Sequence, residues 1–104
     1  MASNRLDTLK NMLVQDPASA FARYGLAMEY VNLGRFDEAV EEFHSLLGSN
    51  PDYCAGYFHC GRTLERIGKT DEARVMYQKG IEATMRTGDG HTRSELQAAL
   101  DMLG

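Results

Sequence analysis

The sequence predicts an all-α protein, a solenoid of stacked helix–turn–helix units, and three observations predict it. Shifted by 34 residues, the chain matches itself: Pro17 falls on Pro51, Gly34 on Gly68 and Asp37-Glu38-Ala39 on Asp71-Glu72-Ala73. Apolar residues between these marks recur at helical spacing. Proline is confined to Pro17 and Pro51, which leaves long stretches free of the residue that breaks a helix interior. Self-similarity at a period of this length is the mark of a repeat architecture, in which each unit buries its apolar face only against its neighbours.

The first complete unit occupies residues 18–51. Its first helix is expected over about residues 18–33, with Leu26, Tyr30 and Leu33 on one stripe. Gly34 supplies the positive φ that commonly ends a helix. The second helix begins near Asp37, where an acidic side chain suits the positive end of the helix dipole. Ala39, Phe43, Leu46 and Leu47 form its inner stripe, and Asn50-Pro51 stops it.

The second unit, residues 52–86, repeats the pattern with Tyr57, Cys60, Gly61 and Leu64, then Gly68, then Ala73, Tyr77 and Ile81. Conservative pairs link the units: Tyr24 with Phe58, Leu33 with Ile67, Phe43 with Tyr77, Leu47 with Ile81. Small residues at Ala27, Ala39, Gly61 and Ala73 have a packing reason, since paired helices must approach closely there. A leucine at such a crossing would overpack it, at a cost of about 1–3 kcal/mol.

The flanks read as half-units. Residues 5–17 match the second helix of a unit, with Leu9 in register with Phe43, Leu13 with Leu47, and Asp16-Pro17 closing it. Thr87-Gly88-Asp89-Gly90 reads as a loop. Residues 91–104 read as a degenerate first helix serving as a cap, with Leu96, Ala99, Leu100 and Leu103 on one face. Gly104 follows Leu103 as Gly68 follows Ile67, but at an interval two residues longer, which is assigned to the loop.

Composition narrows the function. Of 104 residues, 43% are hydrophobic and 25% charged, the profile of a folded globular protein rather than a disordered one. The net charge of −4 and the lack of a basic stripe argue against nucleic acid. Asp37, Glu38, Glu41 and Glu42 sit at helical spacing and read as a solvated face. No stretch has the length of a membrane span. Residues Met1 to Lys10 carry charge where a signal peptide needs an apolar run, so a cytoplasmic location is expected.

Catalytic and metal chemistry find no support. His44, His59 and His91 do not converge, and the glycines punctuate helices without a lysine-bearing phosphate motif. Cys54 and Cys60 lie about 9 Å apart along a helix axis, too far for a disulfide, and match no zinc spacing. The expectation is a protein that is not an enzyme and takes no metal or cofactor.

The register residues carry a family resemblance. Leu26-Ala27, Tyr30, Ala39, Phe43 and Pro51 in the first unit, and Cys60-Gly61, Leu64, Ala73 and Tyr77 in the second, resemble the signature of tetratricopeptide repeats. Met85 departs from it, standing where the closing proline belongs. The resemblance implies six helices in a right-handed α-α superhelix whose first helices line a concave, partner-binding surface.

Carried over position by position, that surface holds Phe21, Tyr24, Met28 and Val31, then Ala55, Phe58, His59, Arg62, Glu65 and Arg66. The competing reading is that the apolar members pack against neighbouring helices, Phe21 against the N-terminal helix. Arg62 and Arg66, one turn apart, read either as a forked contact to a partner carboxylate or as a solvated helix end. The family's clamp for chaperone C-terminal carboxylates uses Lys and Asn where this chain has Tyr24 and Met28, so an apolar or aromatic-anchored segment of another protein is the better expectation. The alternatives are a homodimer or larger assembly formed through the same groove or the array ends, and a dedicated chaperone for one partner subunit.

Overall fold

The computed structural model describes residues 4–104, so Met1 to Ser3 of the charged N-terminal segment lie outside the described residues. Six helices follow one another: α1 (Asn4–Gln15), α2 (Ala20–Asn32), α3 (Phe36–Ser49), α4 (Cys54–Arg66), α5 (Thr70–Thr87) and α6 (Gly90–Leu103). Each packs on the next. Beyond these neighbours, the backbones of α2 and α4, and of α4 and α6, come close, whereas among the described residues those of α1 and α3, and of α3 and α5, stay further apart. The even-numbered helices are therefore crowded on one side and the odd-numbered ones splayed on the other. That asymmetry curves the array and makes α2, α4 and α6 its inner wall.

Local sequence explains the helix ends. The Ser19 hydroxyl oxygen accepts from the Ala22 amide at 3.1 Å and opens α2, and the Asp89 carboxylate does the same for Thr92 at the start of α6. Gly34 and Gly68 stand at φ +75° and +81°, the left-handed conformation that ends a helix cheaply only at glycine.

The core is the predicted stripe. Leu26, Tyr30, Ala39, Phe43, Leu46, Leu47, Tyr57, Cys60, Leu64, Ala73 and Tyr77 are buried, with Leu33 and Ile81 half-buried beside them. The glycine at the α4–α5 crossing is required by contact: a Cβ on Gly61 would lie 2.2 Å from the ring of Tyr77. Gly80 likewise admits Leu96 of the last helix, where an added Cβ would lie 2.6 Å from Tyr57 and 2.9 Å from Leu96.

Two expectations change. The segment 87–90 is not a four-residue loop, because Thr87 ends α5 and Gly90 begins α6. The longer interval before Gly104 lies in an extra turn of α5, not in the loop. Without a proline at Met85 the helix has no reason to stop, and it continues until Gly88 turns left-handed at φ +77°.

The outermost described helices carry polar side chains where the register elsewhere has small residues. In register, Arg5 of α1 takes the place of Ala39 and Ala73, and Gln97 of α6 takes the place of Ala27 and Gly61. Arg5 pairs with Glu29 at 3.3 Å, and Gln97 donates to Asp101 at 2.9 Å. Bulky, solvated side chains therefore occupy the two sites where a further helix would have to approach closely.

Candidate functional site

A depression of about 480 Å³ opens on the inner wall between α2 and α4. It is lined by Val31 from α2 and by Phe58, His59, Arg62, Thr63, Glu65 and Arg66 from α4. The helical repeat places these α4 residues on one face, and Gly61 and Cys60, which turn the opposite way, are buried.

The floor is aromatic. Phe58 lies 5.2 Å from His59 and 6.5 Å from Tyr77, ring centre to ring centre. Tyr24 joins from α2, 5.9 Å from His59, 5.2 Å from Tyr53 and 6.4 Å from Phe43. The Tyr24–Phe43, Tyr24–His59 and Phe58–His59 pairs are edge-to-face and the other two tilted, and such aromatic pairs add stabilisation beyond the area they bury. Burial raises the Tyr24 hydroxyl above its usual pKa, with Tyr53 and Glu95 acting in the same direction. Burial also lowers His59, and Arg62 adds to that, against the pull of Glu95.

The rim is basic. The Arg62 guanidinium lies over the Phe58 ring at 5.7 Å, and that of Arg66 over Phe36 of α3 at 4.8 Å. The neighbouring acid, Glu65, accepts a hydrogen bond from the hydroxyl of the fully buried Tyr77. That tie fixes the Glu65 side chain against the wall, and burial, with the hydrogen bond to Glu65 adding to it, pushes the Tyr77 pKa up.

Of the ten residues placed on this surface from sequence, Val31, Phe58, His59, Arg62, Glu65 and Arg66 meet in this depression, and Ala55 lies outside its lining. Tyr24 and Met28 are half-buried and packed against the core, Tyr24 acting as a bridge between α2, α3 and α4. Phe21 stands in the first turn of α2 with 71% of its surface exposed, outside the lining of the depression. Sequence reasoning missed α6 as a wall. Glu95, Ala98, Ala99 and Met102 border an adjoining depression together with Phe58 and Arg62. The signal was present, since Glu95, Ala98 and Met102 are the register equivalents of His59, Arg62 and Arg66 once the two-residue offset is applied.

Elsewhere the surface offers little chemistry. Among the described residues no group of three or more His, Cys, Asp or Glu is placed to hold a metal ion, and no helix is long and apolar enough to cross a membrane. Cys60 is fully buried, and desolvation pushes its thiol up to about 12, which suppresses the thiolate.

Comparison with known proteins agrees with this architecture. The tetratricopeptide repeat pattern matches residues 22–53. A tetratricopeptide repeat domain protein from Salinibacter ruber, solved by crystallography, is 35% identical, covers 82% of this chain and 94% of its own, and superposes with a TM-score of 0.77. A TPR repeat-containing protein of Pseudomonas aeruginosa is 26% identical over 94% of this chain and 93% of its own length. PcrH, solved in complex with the chaperone binding region of PopD, is 14% identical with a TM-score of 0.91, over 98% of this chain and 77% of its own, a likeness of fold. The chain belongs to the tetratricopeptide repeat family.

Proposed function

We propose that this chain is a non-catalytic interaction module that holds a segment of another protein against its inner wall. The observation that supports this reading is the depression between α2 and α4, where Phe58 and Val31 leave apolar surface open under a rim of two arginines. A folded protein gains nothing from leaving such a surface open, and apolar patches of this kind mark contact sites. PcrH shares the fold and is found with a region of PopD, which is in keeping with a segment-holding role for a wall of this shape.

The test is affinity capture from the native cell, with the wild type beside Val31→Glu/Arg62→Glu, both shown to be folded by circular dichroism. Proteins retained by the wild type and released by the variant are the expected result. An identical set on both would sink the groove reading. Self-association is the rival. Arg5 and Gln97 at the array ends disfavour end-to-end stacking, so it too would have to use the groove. Light scattering on the size-excluded wild type separates the two: a dimer that dissociates in the Val31→Glu/Arg62→Glu variant would favour self-assembly.

A further inference from the structure

The open surface does not stop at the two complete repeats. The adjoining depression, of about 310 Å³, shares Phe58 and Arg62 with the first and has α6 as its far wall. Ala98 and Ala99 keep that wall low, so a large side chain has room above them. Met102, 87% exposed at the rim, is a flexible and polarizable side chain of the kind that moulds itself around an apolar visitor.

The charges beside it are unequal in their commitments. Arg62 and Arg66 form no ion pair with any described residue. Each lies instead over an aromatic ring, Phe58 or Phe36, which supports the guanidinium by its face and leaves the in-plane N–H edge free for a planar acceptor. Of the acids nearby, Glu65 holds the Tyr77 hydroxyl, and Glu95, exposed on α6, lies 3.8 Å from the exposed His91 of its own helix. Two guanidinium edges are thus open beside an apolar hollow.

Building on the groove reading, we propose that the bound segment is acidic and apolar: an Asp or Glu side chain meets Arg62 and Arg66, and a neighbouring large aliphatic or Met side chain enters the hollow between Phe58 and Ala98. On this account α6 is a wall of the site as well as the cap of the array. A basic segment would be repelled by the two guanidinium groups, and a purely apolar one would leave both without a partner.

The test is a phage-displayed library of random peptides panned on the full chain, followed by fluorescence polarization with the selected synthetic peptides. Enrichment of Asp or Glu beside Leu, Ile, Met or Phe is expected. Arg62→Gln/Arg66→Gln should weaken the selected peptide by about tenfold or more and flatten its salt dependence. Changing the peptide's own acid to its amide should then cost nothing further on that variant. Ala98→Trp, at an exposed position, should weaken binding by filling the hollow while keeping the salt dependence. Peptides without acidic enrichment, or affinity indifferent to Arg62→Gln/Arg66→Gln, would overturn the proposal. Amide chemical shifts of the wild type with peptide locate the fault. Peptides seated on α2, α4 and α6 without acidic preference would overturn only the chemistry. Peptides seated elsewhere, or none selected, would overturn the groove reading with it.

Discussion

Arg86 donates a 2.8 Å hydrogen bond from Nε to the carboxylate of Asp52, the residue one whole repeat before it, at an interval of 34. The same guanidinium reaches the Pro51 carbonyl at 3.2 Å, and the Tyr57 hydroxyl donates to that carbonyl at 2.7 Å. One turn of helix at the end of α5 therefore clasps the corner between α3 and α4. The clasp exists because Met85 is not proline, and α5 runs far enough to carry Arg86.

Met85→Pro should undo this corner. Met85 is well exposed, so its replacement loses little packing, and Met85→Ala should be close to neutral. Proline there removes a helical hydrogen bond and clashes with the preceding turn, at a cost of about 3 kcal/mol. Urea denaturation should show a lower midpoint for Met85→Pro alone. Equal midpoints for the two variants would mean that the extra turn contributes nothing to stability.

Gly61→Ala should destabilise in spite of alanine's better helix propensity. The added methyl falls against the Tyr77 ring, which is fully buried and tied by its hydroxyl to Glu65, so the ring has nowhere to go. A loss of about 1–3 kcal/mol is expected. Gly48→Ala is the matched control, since nothing lies within 4 Å of its Cβ, and it should stabilise α3 by up to about 1 kcal/mol. Thermal melts of the two variants should move in opposite directions.

Leu96→Ala should loosen the cap. Leu96 is fully buried against the notch at Gly80, and its truncation leaves a cavity worth about 2–5 kcal/mol. Amide hydrogen exchange should quicken in α6 and in the facing part of α5 before it does in α2. Uniform acceleration along the chain would show that the cap does not open separately.

Stability should fall as the solution is acidified through the histidine range. Burial holds His59 below its usual value of 6.5, so the folded state binds fewer protons than the unfolded chain just below that pH. Its contribution is complete above the unfolded value and is lost as pH drops toward the folded one. His59→Gln should flatten the slope of urea midpoint against pH between about 5 and 7. An unchanged slope would place the pH dependence on other groups.

Particular residues show what could be read from the chain. Gly34 and Gly68, Phe43 and Tyr77, Ala39 and Ala73 announce themselves because a repeat states each structural demand twice. Val31, Phe58, Arg62 and Arg66 were legible as one surface by the same register. Phe21 is left exposed in the first turn of α2, outside the depression, because register assigns a face but not a neighbour. Thr87 was read as loop because the repeat model expected a stop near Met85, and a helix stops only where a residue stops it.

By itself, then, the sequence determined the period, the helix count, the core stripe and the family, because these depend on which residues recur at which spacing along a single helix. Only the tertiary structure decided that α6 borders a hollow shared with α4, that Arg86 clasps Asp52, and that Tyr77 commits Glu65 while Arg62 and Arg66 stay open. Each of those depends on how far two helices stand apart, and that distance is set by the packing of side chains between them, Gly61 on Tyr77 and Gly80 on Leu96, rather than by the pattern along either one.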